Sequence, residues 1–161
     1  MKKLNLILLL VAGSTILPSI SSAQQVNDIF KKDVPLTWVG LDFSGALFIG
    51  YREKYGSEAD IKKLIEACNT LMEEEYAKFN IGEAFGKSKI EIAIDIAQKH
   101  NADLILSEML SDDSKHHDHL NPEAVQQILY SYDFGDRSGA GFMIVVESFD
   151  KLSLKSSVYI T

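Results

Sequence analysis

The chain is poor in cysteine and in basic side chains. Its 161 residues contain one cysteine, Cys68, and 16 lysines and arginines against 23 aspartates and glutamates, which gives a formal net charge of −7. One cysteine excludes an intramolecular disulfide, and its place in an apolar helical pattern favours a small buried side chain over a redox centre. An acidic surface repels phosphates and has no basic stripe to replace their counterions. We therefore expect no nucleic-acid partner.

Long apolar runs are missing too, except at the amino terminus. There Lys2 and Lys3 precede an apolar run over residues 4–11, and residues 21–23 have the small side chains of an export cleavage site. The run is broken by glycine, serine and proline before it reaches the roughly 20 apolar residues that span a bilayer. We predict a cleavable signal peptide over residues 1–23, a periplasmic or secreted protein, and no transmembrane segment in the mature chain. Because Gln24 follows the cleavage site, we expect no lipid anchor.

The remainder has the size of one domain. Removal of residues 1–23 leaves 138 residues, with 14 basic and 23 acidic side chains. A chain of this length buries one core of ordinary size. Residues 24–35 are polar and carry no sustained period, which is typical of an amino-terminal arm. We expect a single domain over residues 36–161.

Apolar alternation predicts the strands. Residues 36–44 are rich in strand formers, with Trp38 and Gly40 expected on one side and the intervening residues Val39, Leu41 and Phe43 on the other. Isoleucine recurs with a period of two at positions 90 to 96, which predicts a strand over residues 89–95, with a helix as the alternative. Residues 142–149 are apolar on both faces, as in a central strand, and residues 156–161 form its antiparallel hairpin partner.

Capping signals and apolar spacing predict two main helices. Ser57 stands three residues before Asp60, which is the spacing of a capping box, and Asn121 with Pro122 forms a second N-terminal signal. The first helix, of about 22 residues, has apolar side chains at helical steps: Ile61, Leu64, Ile65, Cys68, Leu71, Met72, Tyr76 and Phe79. We predict an α/β domain with a mixed sheet of about four strands and these two helices packed on it, with α+β as the alternative class.

The polar stretch S-D-D-S-K-H-H-D-H-L-N-P, residues 111–122, is the histidine loop and the one candidate metal site. Imidazoles and a carboxylate at His116, His117, His119 and Asp118 suit zinc or copper. Adjacent side chains of an extended chain point in opposite directions, so these groups converge only if the loop curls. A solvated connector is the competing interpretation.

Three other features can carry chemistry, and each has a simpler interpretation. The glycine-rich run at residues 135–141 leaves a helix and enters a strand, the reverse of a phosphate-binding loop, so we interpret it as a helix-ending turn. Asp42 and Ser44 suggest a nucleophile at a strand end, with Asp42 orienting a histidine of the histidine loop, or ordinary strand-end hydrogen bonding. Glu147 is a candidate site acid or a strand-end acid that reaches solvent or pairs with Lys151.

The run V-Q-Q-I-L-Y-S-Y-D-F-G-D-R-S-G-A-G-F-M-I-V-V-E-S-F-D-K, with T-W-V-G-L-D-F-S nearer the amino terminus, resembles a group of uncharacterised secreted bacterial envelope proteins. The resemblance spans most of the mature chain and implies no activity. Residues 158–161 resemble the start of a strand that such relatives continue. We therefore expect a domain that is incomplete at its carboxyl end.

These observations together predict a binding protein. Export, an acidic surface and the lack of a complete catalytic set favour a non-enzymatic envelope protein that binds or assembles with a protein or another envelope macromolecule. Metal handling through the histidine loop is the alternative, and an enzyme comes third. No cofactor is predicted apart from zinc or copper at that loop. Because residues 156–161 leave an open sheet edge, we also expect self-association there.

Overall fold

The computed structural model describes residues 29–79 and 81–161, which form an α/β domain with a mostly parallel sheet. The strands are β1 (Leu36–Asp42), β2 (Leu47–Ile49), β3 (Glu91–Ile92), β4 (Leu110–Ser111), β5 (Ala140–Asp150) and β6 (Lys155–Ile160). The helices are α1 (Glu58–Glu74), α2 (Tyr76–Phe79), α3 (Ile81–Ala84), α4 (Ile94–Ala102) and α5 (Pro122–Tyr130). The predicted fold class is confirmed.

β5 is the centre of the sheet. β1 and then β2 pair in parallel along one of its edges, and β6 pairs antiparallel along the other. The short strands β3 and β4 lie parallel to the outer sides of β1 and β2. The predicted central strand and its antiparallel hairpin partner are therefore both confirmed, while β2 and β4 extend the sheet beyond the predicted strands.

Helices cover both faces of β5. On one face Ile61 and Ile65 of α1 pack against Val146 and the phenylalanines of β2 and its preceding turn. On the other face Ala97 of α4 and Val125 of α5 pack against Val39, Met143 and Val145. Neighbouring residues of a strand point to opposite faces, so adjacent Val145 and Val146 serve the two sides. This arrangement explains the unbroken apolar run of β5.

A β-bulge in β1 changes which side chains share a face, so the predicted faces of this strand are partly wrong. The pairing of β1 with β5 shifts by one residue between Trp38 and Gly40. After the shift, Leu41 packs with the cluster of Trp38, whereas Val39 packs in the cluster on the opposite face. Strict alternation put Val39 and Leu41 on one side and was wrong there, because one inserted residue exchanges the faces of all that follow.

α1 begins as predicted but ends early. Ser57 and Asp60 form the expected capping box, and the helix runs for 17 residues to Glu74 rather than for about 22. Ile61 and Ile65 are buried, but Leu64 and Leu71 of the predicted apolar face are 52% and 48% exposed. The buried positions recur in steps of four and include a polar residue, Asn69. The sheet therefore contacts a narrower stripe of α1 than the apolar pattern predicted.

One edge of β1 has no partner strand beyond β3. There the side chains of Asn69 and Asn101 make the hydrogen bonds that a neighbouring strand would make. The Asn69 amide accepts from Leu41 N at 2.8 Å and donates to Leu41 O at 3.0 Å. The Asn101 amide donates to Leu41 O at 2.9 Å and accepts from Phe43 N at 2.9 Å. Backbone groups of a buried edge need such partners, so these two amides fasten α1 and α4 to the sheet.

The predicted strand over residues 89–95 is wrong for most of its length. β3 contains only Glu91 and Ile92, and α4 starts at Ile94. The buried residues of α4 are Ile94, Ala97 and Asn101, which are three and four residues apart, as expected for one face of a helix. The run of isoleucines therefore crosses a strand-to-helix boundary, and the helical alternative applies to its second half.

The structure describes only part of the amino-terminal segment for which predictions were made. The predicted signal peptide and residues 24–28 of the predicted arm lie outside the described residues. From Ile29 onward the arm contacts the domain, where Phe30 lies on Phe85 with ring centroids 5.7 Å apart and Lys87 Nζ donates to Val34 O at 2.8 Å. Within residues 29–79 and 81–161, no helix combines the length and the apolar character needed to cross a membrane.

We predict that Gly40→Ala destabilises the domain strongly. Gly40 has φ +108°, and a Cβ there would lie 2.6 Å from Asn69 Oδ1. The substitution strains the backbone and displaces the amide that fastens α1, so we expect a loss of at least about 2 kcal/mol in urea unfolding. Gly141→Ala is the matched control, since its Cβ would meet only Val39 Cγ2 at 3.9 Å. Equal losses in the two variants would contradict this account of Gly40.

Candidate functional site

A fully buried carboxylate, Asp42, is the centre of the polar network that joins three elements. Its Oδ1 accepts from Ser44 N at 2.9 Å and from Ser44 Oγ at 2.6 Å. Its Oδ2 lies 2.9 Å from His100 Nδ1 and accepts from the Tyr132 hydroxyl at 2.5 Å. Since each partner can donate, the charge of a carboxylate without solvent access is compensated by four hydrogen bonds.

The chain builds this network from an end of a strand and two helices. Asp42 is the last residue of β1, His100 lies in the last turn of α4, and Tyr132 follows the end of α5. The His100 and Tyr132 rings are in contact, with centroids 4.4 Å apart. Burial, the charge of Asp42 and the hydrogen bond to it raise the pKa of Tyr132, so the phenol keeps its proton and remains a donor.

The network extends to a serine in the order of a nucleophilic triad. His100 Nε2 lies 3.0 Å from the hydroxyl of the exposed Ser131, while Nδ1 faces Asp42. In serine hydrolases an aspartate holds Nδ1 and the other nitrogen removes the serine proton. The predicted orienting role of Asp42 is thus present, but its partner is His100 and not a histidine of the histidine loop.

The surroundings of Ser131 favour a structural clamp over acyl transfer. Ser131 Oγ donates its proton to Ile128 O at 2.6 Å, so that proton is not directed to His100 Nε2 at 3.0 Å. Ser131 N and Tyr132 N donate back into the last turn of α5, so neither is free to hold an oxyanion. Ser131 also caps the carboxyl end of α5, where the helix dipole disfavours a developing negative charge. We interpret the network as the joint between β1, α4 and α5.

The histidine loop does not bring its imidazoles together. His116 Nδ1 lies 2.8 Å from Ser111 Oγ, and His117 Nδ1 lies 2.8 Å from Ser148 Oγ. His119 Nε2 lies 2.9 Å from Gly45 O. Asp118 is exposed, 3.7 Å from His117 Nε2. Residues 29–79 and 81–161 contain no group of three or more histidine, cysteine, aspartate or glutamate side chains placed to hold a metal ion. Zinc or copper binding at this loop stays a prediction.

The glycine-rich run at residues 135–141 packs against the arm. Ala140 N donates to Pro35 O at 2.9 Å, and a Cβ on Gly139 would lie 2.4 Å from that oxygen. Arg137 Nε pairs with Glu91 Oε1 at 3.0 Å. The run leads from α5 into β5, as expected of a helix-ending turn.

Glu147 is buried, so the prediction that it reaches solvent or pairs with Lys151 is wrong. It is 2% exposed, and Lys151 donates to Lys54 O rather than to it. Its Oε1 accepts from Leu120 N at 2.6 Å and its Oε2 from Ser157 Oγ at 2.5 Å. Both oxygens are occupied, so the acid fastens the end of the histidine loop and β6 to β5.

The outer edge of β6 is one of the open edges of the sheet. β6 pairs with β5 alone among the strands of the described chain. Val158 and Ile160 are large apolar side chains of this strand, with exposures of 47% and 70%. Lys155 is its one charged residue. We call the outer side of residues 155–160 the β6 edge.

Sequence reasoning missed the residues that complete the polar network. His100, Tyr132, Asn69 and Asn101 were not candidates, although Asn69 and Asn101 continue the buried steps of their helices. Asp42 within an apolar strand was the available signal, because a buried acid requires donors from elsewhere in the chain. Comparison of the chain with protein-family models, with curated proteins and with solved structures gives no match in any of the three.

We predict that His100→Ala destabilises the domain more than Ser131→Ala. The first removes a donor from the buried Asp42 carboxylate, and the second removes only the exposed contacts of Ser131 Oγ with Ile128 O and His100 Nε2. We expect losses of about 1–3 kcal/mol and less than about 1 kcal/mol, respectively, in urea unfolding. A fluorophosphonate probe tests the competing triad: labelling of the wild-type chain that disappears in Ser131→Ala would contradict the clamp.

We predict weak zinc and copper binding that does not depend on the histidine loop. Each imidazole already faces its own oxygen partner, so a shared metal would have to disrupt three sets of contacts. Calorimetric titration of the chain without residues 1–23 and of its His116, His117 and His119 triple alanine variant should give similar weak isotherms. Tight binding that is lost in the triple variant would instead support the metal site.

Proposed function

We propose that the chain is an exported, non-enzymatic envelope protein that assembles with a second copy of itself by strand addition at the β6 edge. The observation that carries the proposal is the pairing of β6 with β5 alone in the described part of the chain. The amino-terminal signal predicted over residues 1–23 supports export. The interpretation of Ser131 as part of a structural clamp supports the proposal that the protein is not an enzyme.

The direction of the backbone groups supports strand addition. Met143 and Thr161 exchange both backbone hydrogen bonds, at 2.9 and 3.0 Å. In an antiparallel pair, alternate residues direct their N–H and C=O groups to opposite edges. Ile160 and Val158 therefore present their backbone groups to the β6 edge. An unpaired row of this kind is a template for another strand.

Charge and symmetry support a second copy as the partner. Lys155 stands at one end of β6, and the rest of the strand is uncharged, with Val158 near its middle. In an antiparallel pair about a twofold axis at Val158, the two Lys155 residues would be about 20 Å apart along the strands. Parallel pairing would place them side by side. The antiparallel arrangement satisfies the edges of both copies and buries Val158 against its equivalent.

Metal handling at the histidine loop is the second candidate function, and the titration described above tests it. The separate partners of the three imidazoles do not favour it. Self-assembly has the support of the β6 edge, which pairs with no other strand of the described chain, so it is the function that we propose.

We predict that the chain without residues 1–23 forms a dimer that Val158→Lys disrupts. A lysine at the middle of the β6 edge faces its equivalent and opposes close pairing of the two strands. Size-exclusion chromatography with light scattering should show a mass that rises toward that of a dimer with concentration for the wild type, and a constant monomer mass for the variant.

Ile105→Lys is the control for this experiment, because Ile105 is 61% exposed and lies in the connection after α4 rather than in β6. It should assemble like the wild type. Val158→Pro gives a second test, since it removes the outward N–H and leaves the side that pairs with β5. A wild-type chain that stays monomeric at all concentrations would contradict the proposal.

A further inference from the structure

A cavity of about 450 Å³ lies between α1 and the β5–β6 hairpin, and we call it the hairpin cavity. Its aromatic wall contains Phe43, Phe48 and Phe149, whose rings stack with centroids 5.7 to 6.2 Å apart. Tyr55 adds an edge-on contact to Phe48 at 5.4 Å, and its hydroxyl is occupied by Ile49 O and Phe149 O. The wall therefore presents carbon rather than hydrogen-bonding groups, although Phe43 and Phe48 themselves are only 1% exposed. The volume is in the range of small-molecule sites.

Two exposed leucines stand among the lining residues. Leu64 of α1 is 52% exposed, and Leu154 of the hairpin turn is 88% exposed. Leu154 also has φ +55°, a left-handed conformation that costs an ordinary side chain about 1–2 kcal/mol. Because Leu154 is exposed, no burial within the domain offsets this cost. Both leucines would lose exposed area to an occupant of the cavity.

The charges of the lining favour an anionic head group. Lys151 and Lys155 belong to the lining, and Asp150 is its one acid. Asp150 Oδ1 accepts from Leu152 N and Ser153 N in the hairpin turn, whereas its buried Oδ2 has no hydrogen-bond partner among the described residues. Lys151 Nζ lies 4.1 Å from the centroid of the Tyr55 ring, which holds the ammonium beside the apolar wall. The lining thus has a net positive charge on a chain whose formal net charge is −7.

We propose that the hairpin cavity binds an anionic amphiphile, with its hydrocarbon chain against the aromatic wall and its carboxylate near Lys155 and Lys151. Apolar walls with a few convergent charged groups are the usual composition of such sites. This inference does not rest on self-assembly through the β6 edge, because Val158 and Ile160 are outside the lining. A neutral apolar molecule and a segment of a second copy are the competing occupants.

Dodecanoate, used below its micelle concentration with dodecanol as the neutral counterpart, tests the proposal on the chain without residues 1–23. Calorimetry measures the affinity, and alkylation of Cys68 reports on the cavity, since Cys68 belongs to the lining. Burial raises the pKa of Cys68, so the alkylation is run at alkaline pH. We expect saturable binding of dodecanoate and alkylation of Cys68 slowed at least fivefold.

Leu64→Asp should weaken dodecanoate binding at least tenfold, and Leu71→Asp is its matched control. Both leucines are half-exposed on α1, one heptad apart, but only Leu64 lines the cavity. Leu154→Asp repeats the test at an exposed turn position, where folding is little affected. Lys155→Glu should weaken dodecanoate at least fivefold and leave dodecanol unchanged.

Each of the following results of the ligand experiments would overturn the proposal. They are no saturable binding, no slowing of Cys68 alkylation, equal losses in Leu64→Asp and Leu71→Asp, or affinity for dodecanol that equals that for dodecanoate. Slowing of Cys68 alkylation by protein concentration alone would assign the cavity to a second copy and also overturn it. The same measurements on Val158→Lys separate this proposal from self-assembly, because that variant keeps the complete lining of the cavity.

Discussion

The satisfaction of the free edge of β1 by two asparagine side chains is the constraint on which the rest of the structure depends. On the edge of β1 that faces away from β5, β3 pairs only with Thr37 and Trp38, and β4 pairs with β2 rather than with β1. Beyond β3 this edge has no strand beside it, and Asn69 and Asn101 supply the missing donors and acceptors. The bulge at Gly40 makes room for the first amide. The second amide fixes the end of α4, which places the neighbouring His100 at Asp42. The buried polar network therefore follows from the backbone requirements of one strand edge.

Two of the three buried acids of the sheet, Asp42 and Glu147, have hydrogen-bond partners on both carboxylate oxygens. Asp42 joins β1 to α4 and to the segment after α5, and Glu147 joins β5 to β6 and to the end of the histidine loop. A buried carboxylate is costly unless donors surround it, so each acid requires the elements that supply those donors. These hydrogen bonds hold α4, the segment after α5 and the end of the histidine loop on the face of the sheet opposite α1. The candidate binding surfaces use other groups of the β5–β6 hairpin, namely the outer backbone of β6 and the lining of the hairpin cavity.

That hairpin supplies two surfaces that depend on different forces. The β6 edge offers backbone hydrogen bonds to a partner strand, with Val158 and Ile160 as exposed side chains. The hairpin cavity offers apolar area and two lysines, with aromatic rings as its wall. Backbone pairing is indifferent to most side chains, whereas the cavity selects by shape and charge. The two surfaces share Lys155 and Ser156, but Val158 belongs only to the β6 edge and Leu64 only to the cavity, so substitutions at these positions alter them separately.

Features that arise from neighbours a few residues apart were predictable from the amino-acid pattern. The capping box at Ser57, the Asn121–Pro122 helix start, the apolar run of β5 and its hairpin with β6 are all local signals, and the structure contains each of them. Local alternation failed at the bulge in β1 and at the start of α4, where one residue or one boundary changes the period. Only the tertiary structure brought His100 and Tyr132 to Asp42, across 58 and 90 residues of chain. Such contacts depend on how helices dock on a strand edge, and no local period encodes that docking.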